Sequence, residues 1–129
     1  MQAVDTNLLV RALTCADPRQ SPVAETFIRN QAPVWVSHVV LVETVWVLEA
    51  VYGCGKPQLI EAMTRIIDNK DLFLEEPAIV RAALALYQTE KKVHFEDCMM
   101  LEIARKAGHL PLATFDKALG KLEGAHLVS

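Results

Sequence analysis

The chain has 129 residues and a mass of 14.3 kDa, the length of one ordinary domain with one core, and a single domain over 1–129 is the expectation. A net charge of -3 with a pI near 5.8 excludes a protein that holds nucleic acid by bulk positive charge; a polyanionic substrate then needs local positive charge, such as a bound divalent cation. Three cysteines (Cys15, Cys54 and Cys98) with no CxxC argue against a disulfide framework or a structural zinc site and for a reducing, cytoplasmic setting. Asp5 and Arg11 interrupt any signal-like apolar segment, and the apolar run Val34 to Tyr52 carries Glu43 and Glu49, so it reads as protein core and not as a membrane span.

Gln2 to Asp5 is a brief apolar approach to an acid and predicts a first strand. Thr6-Asn7 offers cap chemistry for a short helix over Leu8 to Leu13. Asp17-Pro18 predicts a second helix with Pro18 at its first position. Val34 to Val36 reads as strand, and Ser37 caps the run Val39 to Tyr52. The β-branched residues of that run favour strand, but its length before Gly53 favours helix, which is the reading taken. Lys56-Pro57 opens a helix to about Asn69, followed by a strand at Leu72 to Leu74 and a helix from Glu76-Pro77 through Lys92. Phe95 to Ala107 is helical with Gly108 as its stop; then come a strand at Leu112 to Thr114, a short helix Lys117 to Leu122 capped by Asp116, and a strand at His126 to Val128. Strands alternating with helices imply an α/β fold of three layers, with a mostly parallel central sheet of about five short strands.

In such sheets the site lies beyond the carboxyl ends of the strands. Asp5 ends the first strand, Glu43 sits on the second turn after the second strand, Asp97 lies in the first turn of the helix before the fourth strand, and Asp116 follows that strand. Singly, Asp5 and Asp116 read as helix caps and Asp97 as a partner of a helix dipole. Glu43, among Val39, Val40, Leu41, Val42 and Val45, reads as a costly buried carboxylate. Jointly the four carboxylates suit a hard divalent cation, Mg²⁺ or Mn²⁺, serving as metal ligands and catalytic acids in a phosphodiester hydrolase.

The motifs Asp5-Thr6-Asn7-Leu8-Leu9-Val10, Glu43, Phe95-Glu96-Asp97 and Leu112-Ala113-Thr114-Phe115-Asp116, in this order over nearly the whole chain, resemble those of PIN-domain nucleases. The small size and the Trp46-Val47-Leu48 run look most like VapC toxins of type II toxin–antitoxin pairs. The resemblance implies an endoribonuclease dependent on Mg²⁺ or Mn²⁺, an RNA substrate, a cognate antitoxin, and Asp5, Glu43, Asp97 and Asp116 as the metal-binding acids. It also implies that Asn7 and Thr114 support those acids. His94 and Glu96 depart from the family's usual aspartate and small residue, which touches the number of metals held.

Asn7, Arg11, Thr114 and Lys117 are the candidate substrate-binding residues, with Lys121 a further cation beside them. Lys91-Lys92 and Arg105-Lys106 read as solvated faces, Trp35 and Trp46 as core, and Cys98 as a buried helix cysteine. The apolar share of 52% favours a homodimer and a partner-binding groove near the amino-terminal helices. Two other functions compete. A haloacid-dehalogenase-like phosphatase needs a second acid where Asn7 stands, and a degenerate binding module needs no intact acids at all.

Overall fold

The computed structural model describes all residues, Met1–Ser129, and the twelve elements follow the chain order expected from the sequence. The protein divides into two compact units, Met1–Pro77 and Ala78–Ser129.

The first unit is built on three parallel strands, β1 (Gln2–Ala3), β2 (Val34–Val36) and β3 (Leu72–Leu74), paired in that order. Parallel neighbours need long crossovers, and four helices supply them: α1 (Thr6–Thr14), α2 (Gln20–Gln31), α3 (His38–Ala50) and α4 (Lys56–Asp68). Val34, Val36, Leu9, Leu41, Leu59, Met63 and Ile66 form its buried centre.

Two sequence readings change here, those of Pro18 and Trp46, and the reading of the β-branched run stands. Pro18 is not the first residue of α2: Pro18 and Arg19 form a turn, and the helix starts at Gln20. Asp17 sets that start, because its carboxylate accepts the backbone N–H groups of Arg19 at 2.9 Å and Gln20 at 2.7 Å. Those two bonds, Gln20 first, hold the Asp17 carboxyl below its ordinary range. The helical reading of the β-branched run holds, since Ser37 Oγ accepts the Val40 N–H at 3.1 Å and α3 then buries Leu41, Thr44, Val45 and Leu48 along one side. Trp46, on the other side, is 56% exposed and so is no core residue, and Trp35 is half-buried.

The second unit opens on α5 (Pro77–Thr89), which stops three residues before Lys92, and α6 (Phe95–Ala107). Tyr87 and Phe95 pack edge to face, with ring centroids 6.0 Å apart, and pin the end of α5 to the start of α6. Gly108 closes α6 at φ 82, a left-handed conformation that glycine takes without steric cost. β4 (Leu112–Thr114) pairs in parallel with β5 (Ala125–Leu127) across α7 (Lys117–Gly120), a helix shorter than expected. The five strands thus form two parallel ladders and not one continuous sheet; the hydrogen-bonded neighbour of β4 is β5 alone.

The α7–β5 contact is close enough to demand glycine. A Cβ on Gly120 would stand 2.8 Å from Leu127 Cβ and 3.3 Å from Leu127 Cα. Gly120→Ala is expected to destabilise the protein by about 1–3 kcal/mol through overpacking, read from urea denaturation midpoints at unchanged slope.

Candidate active site

In parallel neighbours the carboxyl ends share an edge, so the segments leaving β1 and β2 emerge side by side. Asp5 leaves β1 in an extended conformation and becomes the cap of α1, its Oδ1 accepting the Leu8 N–H at 2.9 Å. Glu43 lies on the second turn of α3, whose start follows β2. The two acids are linked through one side chain: the Thr6 hydroxyl, next to Asp5 in the chain, donates to Glu43 Oε1 at 3.3 Å. Glu43 is exposed, not buried among the valines around it in sequence, because the helix turns those valines to other faces. Its conspicuousness as an expensive buried carboxylate therefore disappears.

The second unit carries the other two acids. Asp97, half-buried in the first turn of α6, accepts the backbone N–H of His94 at 3.0 Å through Oδ2. Asp116, exposed, caps α7 by accepting the Leu119 N–H at 2.9 Å. Thr114, the last residue of β4, accepts the Asp116 N–H on its hydroxyl at 3.0 Å and so fixes the turn that presents Asp116. Two of the expected acids thus stand on each unit, and within neither unit do three His, Cys, Asp or Glu side chains gather closely enough to enclose a cation.

The candidate substrate residues divide in the same way. Asn7 and Arg11 border an open groove of about 650 Å³ between α1 and α2, with Asp5 at its rim and Leu8, Val23 and Phe27 along it. Arg11 is partly engaged, its Nε donating to Gln20 at 2.9 Å and a terminal nitrogen donating to the Tyr52 hydroxyl at 3.4 Å. In the second unit a cavity of about 920 Å³ has Asp116, Lys117, Lys121, Lys91 and Lys92 in its wall. By sequence Thr6 offers only cap chemistry, and its bond to Glu43 depends on the fold. Lys91 and Lys92 read by sequence as a solvated face, since nothing along the chain ties them to residues 25 positions later.

Structural hydrogen bonds use one oxygen of each carboxylate. At Asp5 and Asp116 asparagine caps a helix as well as aspartate does, whereas alanine does not. Asp5→Asn and Asp116→Asn are expected to keep parental stability, and the alanine variants to lose about 1 kcal/mol each, measured by thermal and urea melts.

A family model, the PIN domain, matches residues 3–125. Among solved structures the chain is similar to the Mycobacterium tuberculosis toxin VapC20, described as cleaving the sarcin–ricin loop, at 19% identity, with 98% of each chain covered and a TM-score of 0.45. None of the curated proteins matches significantly. With the family match running through both units and across all four acidic positions, the chain belongs to the PIN-domain family.

Proposed function

We propose that the protein is a divalent-metal-dependent endoribonuclease, the toxin of a type II toxin–antitoxin pair, working as one domain over 1–129. The observation that carries this reading is the state of the four acids. Each of Asp5, Glu43, Asp97 and Asp116 sits at or near the start of a helix, reaches solvent, and keeps one carboxylate oxygen free of protein donors. An all-carboxylate donor set fits a hard cation such as Mg²⁺ or Mn²⁺ and has no thiolate to favour zinc. Asp5, Glu43, Asp97 and Asp116 would hold that cation. Bound there, it supplies a water of lowered pKa and positive charge for the phosphodiester in flight.

The remaining chemistry belongs to the chain itself. The Asp5 and Asp116 caps and the Thr6 and Thr114 hydroxyls each fix the carboxylate beside them within its own unit. Asn7 and Arg11 beside Asp5, and Lys117 beside Asp116, are placed to meet substrate oxygens, with Thr114 orienting the second acid. The α1–α2 groove suits an amphipathic antitoxin helix: Leu8, Val23, Ala24 and Phe27 give it an apolar strip between Arg11, Arg19 and Gln20, and a basic side chain on that helix would meet Asp5 at the rim. Exposed Val39, Trp46 and Phe73 add apolar surface that supports a homodimer. No helix is long and apolar enough to cross a membrane, and action in the cytoplasm is the setting proposed.

The test is cleavage of RNA by purified protein in EDTA, Mg²⁺ or Mn²⁺. Cutting is expected only with metal, and Asp5→Asn or Asp97→Asn should lower it by more than about a hundredfold at unchanged circular dichroism, the scale of losing one group that stabilises developing charge. Undiminished cutting in EDTA, or variants that cut at the parental rate, would overturn the proposal.

The groove gives a separate expectation. Phe27→Asp places a charge in its apolar strip and should abolish co-purification with the small protein encoded beside the gene, while metal-dependent cutting by the isolated protein persists.

A further inference from the structure

Phe115 is 83% exposed, more than any other large hydrophobic side chain of the protein. It stands between Thr114, which ends β4, and Asp116, which caps α7, so its backbone is fixed on both sides. A phenyl ring held out into water by a rigid turn adds nothing to the core. Next to it in the chain begins the wall of the cavity that contains Asp116, and four of the protein's seven lysines line that cavity: Lys91, Lys92, Lys117 and Lys121. Lys91 and Lys92 come from the segment between α5 and α6, whereas Lys117 and Lys121 come from α7 and its C-terminal cap. None of the four is in an ion pair, in contrast to Arg65 with Glu61 and Arg105 with Glu102. Glu90 and Asp116 line the same concavity, so four ammonium groups face two carboxylates and leave it net positive, which concentrates anions.

We propose that this face of the second unit is a subsite for a single-stranded segment of RNA: the Phe115 ring stacks on an unpaired base, while Lys91, Lys92, Lys117 and Lys121 hold the flanking phosphates. The proposal rests on the ribonuclease reading and gives it a substrate form. A flat hydrophobic ring has no partner on a phosphate or a carboxylate, so the aromatic and the lysines together select a ligand with both a π-face and a chain of negative charges. Bases inside an A-form duplex are stacked on one another and offer no free face, which restricts the site to loops, bulges and ends.

The two contacts leave different signatures. Stacking is little affected by salt, whereas each phosphate contact releases counterions. Binding of a fluorescein-labelled single-stranded RNA octamer is measured by anisotropy in EDTA, so that no cutting occurs, over a series of salt concentrations. Replacing all four lysines with glutamine should reduce the slope of log K against log salt by about 2.8, about 0.7 for each lysine. Phe115→Ala should weaken binding by about five- to a hundredfold with an unchanged slope, and Phe115→Trp should restore it. The Phe115→Ala loss should vanish on an octamer with abasic sites, and duplex RNA should bind the parent more weakly than the single strand. All five side chains are exposed, and circular dichroism checks that the variants fold.

A parental salt slope in the lysine variant, or an equal Phe115→Ala loss on intact and abasic RNA, overturns the subsite. If the parent cuts RNA with metal and these variants bind as the parent does, the subsite falls and the ribonuclease stands. If the variants lose binding as described but the parent never cuts RNA, the reverse holds. A parent that binds no RNA removes both.

Discussion

The first turn of every α-helix presents backbone N–H groups with no partner inside the helix, and the placement of the acids in this protein follows from that deficit. Where a strand gives way directly to a helix, the residue at the junction must be extended and must offer an acceptor. Asp5 does this for α1 and Asp116 for α7, while Asp97, three residues into its segment, accepts the N–H of the residue that precedes α6. Each bond occupies one oxygen and fixes the carboxylate plane. The second oxygen is left over at a helix terminus, where positive backbone dipoles favour negative charge. A cap and a cation ligand are therefore compatible uses of one aspartate, and the cap interpretation of Asp5 and Asp116 does not compete with the catalytic one.

Rigidity behind the acids comes from residues with no chemistry of their own. α3 carries Glu43 outward because Leu41, Thr44, Val45 and Leu48 hold its opposite side in the core. Thr44 is fully buried, and its hydroxyl is satisfied by the Val40 carbonyl at 2.7 Å, so the helix can bury a polar residue without an orphaned group. The Thr6–Glu43 bond then joins two elements that are 37 residues apart. It orients the glutamate without burying it, so the carboxylate stays open to solvent.

Local chemistry made the element order readable from the sequence. Ser37, Asp116 and Gly108 act where their types predict, and the length of the Val39–Tyr52 run outweighed its β-branched composition. Boundaries failed where two signals lay close together: Asp17 and Pro18 both mark a helix start, and two backbone hydrogen bonds to the carboxylate decide in favour of the acid. The acids were legible as strand-end and helix-start residues, but their environment was not. Hydrophobic neighbours in sequence suggested that Glu43 was buried, yet in a helix the residues on either side of a position point about 100° away from it, so sequence neighbours say little about burial. Trp46 was misjudged for the same reason. The division of the strands into two ladders depends on which edge pairs with which, and strand pattern alone does not encode that.

Composition concealed one further property, the uneven distribution of charge. The first unit has 6 basic against 10 acidic residues, the second 7 against 6, and the net charge of -3 for the whole chain describes neither. Lysines far apart in sequence surround one cavity only because the segment after α5 and the short α7 both border it. Charges on an exposed surface are screened beyond about 8 Å at physiological ionic strength, so a polyanion meeting this surface responds to the nearest lysines and not to the acidic total. A chain of negative net charge can therefore still present a locally positive surface to a polyanion, because the lining of one cavity brings together cations that the sequence keeps apart.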